Sequence, residues 1–207
     1  MSESRESVER LVEEALAHSE AGDDDAALEK YFKALEIDIS NARVCYDIGL
    51  IYKYRGAWKE SFKYNKRAHE LDPEDQAACW NFGIAATALR DWRAARAAWS
   101  AYGIKLADGD GEIFGDYGVT PLRLNPADDA EVVWARRLCP ARARIESLPY
   151  PESGVAFDDV VLHDGAPVGS RLDAGGREVP VFNMRPCGIR SGAYESPHGT
   201  ETKSRNY

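Results

Sequence analysis

The sequence predicts an α+β chain: an all-α solenoid of three helix–turn–helix repeats, a small antiparallel β sheet or barrel, and a disordered tail. Three observations predict it. Residue types recur at a spacing of 34 through the first half of the chain. After about residue 118 the apolar pattern becomes strand-like, in short alternating runs between turn formers. From about Met184 apolar residues become scarce among Gly, Ser, Pro and Thr.

The recurrence fixes the first unit, residues 1–103. Cys45 and Cys79, Tyr46 and Trp80, Gly49 and Gly83, and Trp58 and Trp92 all stand 34 apart. An upstream copy keeps the frame, with Ala15 at the Gly49 position, Gly22 at Gly56, Ala27 at Ser61 and Ala34 at Ala68. A period near 34 signals stacked helical hairpins, and three copies are the practical minimum for a continuous core. The glycines let the two helices of a hairpin approach closely, and Pro73 ends the second hairpin.

This pattern resembles the tetratricopeptide repeat over about residues 8–103. Ile48–Gly49, Tyr52, Ala68 and Asp72–Pro73 stand at that family's characteristic positions. The outer copies depart from it, with Glu14 at a leucine position, Ile39 at the proline, Arg90 at the turn glycine and Tyr102 at the late alanine. The resemblance implies a concave face lined by the first helix of each hairpin. On that face it places Arg43, Tyr46, Asp47, Leu50, Lys53 and Tyr54, then Ala77, Trp80, Asn81, Ile84, Thr87 and Ala88. Glu9, Val12, Glu13 and Leu16 are their counterparts in the first copy. Trp58 and Trp92 fall at packing positions and are assigned to the core. The partner-binding groove is therefore expected at Arg43, Tyr46, Leu50, Lys53, Tyr54, Trp80, Asn81 and Ile84, because interface anchors favour Trp, Tyr and Arg. Some members of the family clamp the terminal carboxylate of a chaperone tail. Asp47, Ala77 and Asn81 lack the residues that clamp needs, so the expected partner is instead a protein segment with apolar anchors and some basic residues.

Residues 104–118, rich in Gly and Asp, read as a linker. Strands are expected within 119–183 at VTPLRL, AEVVWARRL, ARARIESL, DDVVLHDG and GREVPVFN. Asn125–Pro126, Cys139–Pro140, Pro149–Pro151, Asp164–Gly165 and Gly175–Gly176 supply the turns. This unit matches no named family, and it could close the exposed end of the third repeat. Residues 184–207 read as a disordered tail, or as a truncated or frame-shifted end.

Composition narrows the function. A net charge of −9 excludes a binder of phosphate backbones or anionic membranes. No apolar run reaches the roughly 18 residues that a membrane helix needs. The acidic opening lacks the basic and apolar regions of a secretion signal, so a cytoplasmic location is expected. The four cysteines are too scattered for a zinc or redox motif, and Cys45 and Cys79 read as small core residues. Asp108–Glu112 lacks calcium-loop spacing and reads as a turn. His163–Asp164 reads as a hairpin end with no nucleophile motif beside it. Arg136, Arg137, Arg142 and Arg144 read as a solvated face balanced by acids. No cofactor or metal is implied.

The first function reading is a non-catalytic protein-interaction module: a scaffold, an adaptor or a dedicated inhibitor. The alternative is an enzyme or small-ligand site in the β unit around His163 and the Arg136 and Arg144 cluster.

Overall fold

The computed structural model describes residues 2–126 and 130–185. Cys187, His198 and nearly all of the expected tail lie outside the described residues.

Six helices form three antiparallel hairpins: α1 Ser2–Glu20 with α2 Asp24–Ile37, α3 Ala42–Tyr54 with α4 Trp58–Leu71, and α5 Gln76–Ala88 with α6 Trp92–Ala101. Side-chain caps recur with the period. Asn41 and Asp75, 34 apart, cap α3 and α5 by accepting from the N–H groups of Val44 and Ala78, each at 3.1 Å. Asp23 and Asp91 do the same for α2 and α6. Between them in the frame stands Ala57, with no side-chain cap on α4. A carboxylate there would satisfy an orphan N–H of the first turn. Ala57→Asp is expected to stabilise the fold by about 1 kcal/mol in denaturant unfolding, the usual worth of an N-cap.

The hairpin turns also follow the frame. Gly22 and Gly56 take positive φ, at 79° and 68°. Arg90 holds the same left-handed position at 56°, where the third repeat has no glycine. Two cores result. One joins α1–α3 through Ala15, Leu28, Tyr31, Val44 and Ile48, with Tyr64 of α4 packed against it. The other starts from α5 and α6 and does not stop there: Ile113, Cys139, Ala141 and Leu162 pack among Ile84, Ala85, Ala98 and Trp99. The last repeat has no capping helix to shield its apolar end, and the following segments supply that cover.

Residues 104–118 are an ordered strap. Ile104 and Leu106 pack on the α5–α6 core and Ile113 is buried in it. Arg96 of α6 donates to the carbonyls of Ala107 (2.7 Å) and Gly111 (3.2 Å). The Asp108–Glu112 turn is held from the other side as well, because Arg142 pairs with Glu112 and donates to the Ile113 carbonyl.

Five strands close a barrel in sequence order: β1 Val119–Leu124, β2 Glu131–Cys139, β3 Arg142–Ile145, β4 Val160–Leu172 and β5 Glu178–Arg185. Neighbours in sequence pair antiparallel. The closure between β1 and β5 is parallel, where the sequence suggests only antiparallel pairing. An odd number of up-and-down strands forces one parallel seam when the first meets the last. Alternation sets the interior, with Leu122, Leu124, Val133, Ala135, Ala143 and Ile145 pointing inward.

Two details differ from the sequence reading. Asp164–Gly165 is not a turn: β4 runs through it to Leu172, and the hairpin turns at Asp173–Arg177. Register shifts between His163 and Gly169 mark bulges that re-aim this strand. Strand β5 ends at Arg185, so Met184 and Arg185 are strand residues beyond the expected edge at 183.

Candidate functional site

Helical spacing puts Arg43, Tyr46, Asp47, Leu50, Lys53 and Tyr54, the expected concave-face residues, on one side of α3. What the sequence does not show is that part of this face is already occupied. Strand β4 crosses it at Asp164–Gly165 and makes buried contacts with both helices.

Lys53 is buried, with 3% of its surface exposed. Its Nζ lies 3.2 Å from the Asp164 carboxylate and 3.0 Å from Asn81 Oδ1. Arg185, at the end of β5, donates to the same Asp164 oxygen through Nε (2.9 Å) and a terminal nitrogen (2.6 Å). The Arg185 guanidinium also lies 4.5 Å from the centre of the Tyr54 ring, and Lys53 Nζ lies 5.0 Å from it. Burial pushes the Asp164 carboxyl up, but the two cations outweigh it and hold it below the usual carboxylate range. For Lys53, burial dominates and lowers the ammonium against the pull of Asp164. Two cations and one anion meet in a nearly dry site, and the rings and the Asn81 amide oxygen take part of the surplus positive charge.

Beside this network the backbone of Gly165 lies flat on the Trp80 ring. A Cβ on Gly165 would fall 2.1 Å from Trp80 Nε1. The ring cannot retreat easily, because Trp99 and Tyr102 abut it edge-on at centroid distances of 5.0 and 4.8 Å. Ile84 and Thr87, further along α5, are fully buried. Of the groove residues read from the sequence, Lys53, Trp80, Asn81 and Ile84 are thus brought together under β4. A signal for this is present in α5: QAACWNFGIAATA is apolar on nearly every side, and a helix of that kind is covered on every side.

The other half of the face is open. Arg43 is exposed and bonds Asp47 at 2.9 Å, with Tyr31 on the other side of that carboxylate. Asp47 is itself buried, and burial raises its carboxyl against the pull of Arg43 and Tyr31. Tyr46 and Leu50 are half-buried and Tyr54 is 51% exposed. On α1, Glu9 and Glu13 are exposed and Val12 and Leu16 half-buried.

Packing between the helices of each hairpin decides the type of array. A Cβ on Gly49 would meet the Asn65 side chain at 2.5 Å, and one on Gly83 would meet the Trp99 ring at 2.6 Å. In the first hairpin Ala15 and Tyr31 share one buried cluster. The small residues at 15, 49 and 83 thus face 31, 65 and 99, both sets at 34-residue steps. The helical half is a stack of three helical hairpins in one 34-residue frame, a tetratricopeptide-like arrangement.

Comparison with known proteins adds this. No protein-family model matches the chain, and no curated protein matches it. Solved structures similar to this chain include an O-GlcNAc transferase mutant from Thermobaculum terrenum. It is 19% identical with a TM-score of 0.43, and the match covers 48% of this chain and 19% of that one. The Arabidopsis OM64 TPR domain is 17% identical with a TM-score of 0.44, over 48% and 82% of the two chains. The N-terminal domain of stress-induced protein-1 from C. elegans is 19% identical with a TM-score of 0.43, over 48% and 87%.

The remaining candidates sit in the barrel, away from the open half of the array. His163 is 1% exposed, next to Phe182, with Nδ1 2.8 Å from the Asp164 carbonyl. That contact makes Nδ1 the protonated nitrogen and leaves Nε2 without a partner among the described residues. Burial lowers its pKa from 6.5 to about 4. A base depressed on folding takes up its proton first in the unfolded chain. Stability is therefore full above pH 6.5 and falls toward pH 4, by about 3 kcal/mol in total at roughly 1.4 kcal/mol per pH unit. Denaturant unfolding between pH 7 and pH 4.5 is expected to show this slope, and His163→Gln is expected to flatten it.

Only part of the arginine cluster is a solvated face: Arg142 is largely buried, and Arg137 has a buried Nε without a hydrogen-bond partner among the described residues. Arg136 holds Glu146 (2.7 Å) and Asp116 (3.1 Å), and Arg144 lies 3.5 Å from Asp158. Arg142 also stacks over Trp92 at 4.6 Å. Cys45, Cys79 and Cys139 are buried, and burial raises the thiols of Cys45 and Cys79. No helix among the described residues is long and apolar enough to cross a membrane.

Proposed function

We propose that the chain is a non-catalytic protein-interaction module whose partner segment lies on the uncovered half of the concave face. The observation that carries this is the split of that face. Strand β4 covers the end at Lys53, Trp80 and Asn81, with Ile84 fully buried, while Arg43 and Tyr54 are exposed and Tyr46 and Leu50 half-buried; Glu9 and Glu13 are exposed on α1. In this reading Tyr46, Leu50 and Tyr54 supply the apolar contacts, and Arg43 sets the register. The acidic α1 wall favours a partner segment with basic residues between its apolar anchors. Scaffold, adaptor and dedicated inhibitor are all roles such a groove can serve.

The test reverses the wall without touching the buried contacts. Protein captured from a lysate of the source organism is identified by mass spectrometry for the unaltered chain and for Glu9→Lys/Glu13→Lys/Leu50→Ser. A partner held by the first and lost with the second, at similar thermal stability, supports the open half as the binding surface. A partner held equally by both contradicts it.

A further inference from the structure

The loop between β3 and β4 presents the most exposed large apolar side chain recorded in the described chain. Leu148 is 85% exposed and Tyr150 69%, within the run Leu148-Pro149-Tyr150-Pro151. Loose loop tips often carry such residues at little consequence, but this segment is not loose. Trp134 donates its N–H to Ser147 Oγ at 3.0 Å on one side. Glu131 receives the Tyr150 N–H on its carboxylate at 3.0 Å in the middle. Asn125 donates to the Ser153 carbonyl at 3.1 Å on the other side. The 3-10 turn Pro151–Ser153 and Gly154, at φ 68°, end the strip. Its base is closed by paired backbone bonds between Ile145 and residues 158 and 159, both at 2.9 Å.

Before the 3-10 turn begins at Pro151, Tyr150 stands in the polyproline II region. Tyr150 has φ −64° and ψ 144°. Both prolines fix their own φ, and each holds the residue before it in the extended region. A polyproline II strip makes no internal hydrogen bonds and offers its side chains outward. It enters a complex with its ordering cost already met. Glu152, exposed and without an ion pair among the described residues, follows the strip directly.

We infer that the extended strip Leu148–Tyr150, held by Pro149 and ended by the 3-10 turn at Pro151, is a preformed peptide ligand on the barrel surface, recognised by a partner domain with an aromatic-lined groove that reads polyproline II and carries a cation where Glu152 emerges from the turn. Leu148 and Tyr150 are the anchors, the prolines hold the shape, and Glu131 acts as a positioning residue through the Tyr150 N–H. This surface is separate from the concave face of the helical array.

The test uses the full chain against a purified panel of SH3 and WW domains, with phosphatidylcholine vesicles as the competing probe. The inference expects at least one domain to bind. Leu148→Ala and Tyr150→Ala should each weaken that binding about tenfold or more, as hot-spot anchors do. Glu152→Lys should weaken it too, and a screen with salt should follow the same trend. Glu131→Ala, which touches no partner, should weaken binding severalfold by releasing the strip, while thermal unfolding reports whether the barrel is intact. Binding to no domain, binding indifferent to Leu148 and Tyr150, or uptake by the vesicles instead would each overturn the inference.

Discussion

Asp164→Asn is expected to destabilise the folded protein by about 3–5 kcal/mol, the usual cost of removing one partner from a buried ion pair. The substitution barely changes volume. It leaves Lys53 and Arg185 buried, facing each other's charge with only an amide between them. Both cations are held there by packing, Lys53 under β4 and Arg185 against the Tyr54 ring, so neither can swing out to water at low cost. The measurement is urea unfolding followed by tryptophan fluorescence, since Trp80 and Trp99 sit at the same junction. Asp116→Asn is the control. It removes the exposed Asp116–Arg136 pair and should cost at most about 1 kcal/mol.

Gly165→Ala is expected to cost about 3 kcal/mol or more, at or above the upper end of the range for overpacking. The added methyl would lie 2.1 Å from a ring atom of Trp80, far inside contact distance. Trp99 and Tyr102 block the ring's retreat. Either β4 lifts from the helices or α5 shifts, and each route opens the shared core. A compensating Trp80→Leu should recover part of the loss, because it clears the space the methyl needs. Gly111→Ala, with nothing within 4 Å of its Cβ, should be close to neutral. Equal effects of the two glycine substitutions would mean that β4 does not press on Trp80.

The helical half was legible because a repeat states the same packing rule three times. The frame at 15, 49 and 83 and its partners at 31, 65 and 99 are local relations, readable within one hairpin. The strands were legible from alternation, and Trp58 and Trp92 do pack at the core positions assigned to them. Asp164–Gly165 misled because that dipeptide ordinarily marks a turn. Here glycine serves close approach: the ring of Trp80 lies where a side chain would be. The occupant of the Lys53 and Asn81 end was not legible at all, because Lys53 and Asp164 are 111 residues apart and no local pattern links them. The all-round apolar character of α5 pointed to a cover without naming it. Pro149–Pro151 read as turn formers, and the fixed, extended course of the chain at Tyr150 became visible only through its dihedrals and the pins at Glu131 and Ser147.

The division of the concave face is the claim on which the rest depends, and a double-mutant cycle across the junction tests it most directly. Unfolding free energies are measured for the unaltered chain, Lys53→Met, Asp164→Asn and the double variant. The structure predicts a coupling energy of about 1.5 kcal/mol or more, as for side chains in direct charged contact. Additive effects, with coupling within about 0.3 kcal/mol of zero, would mean that β4 does not occupy the groove and that the whole concave face is open.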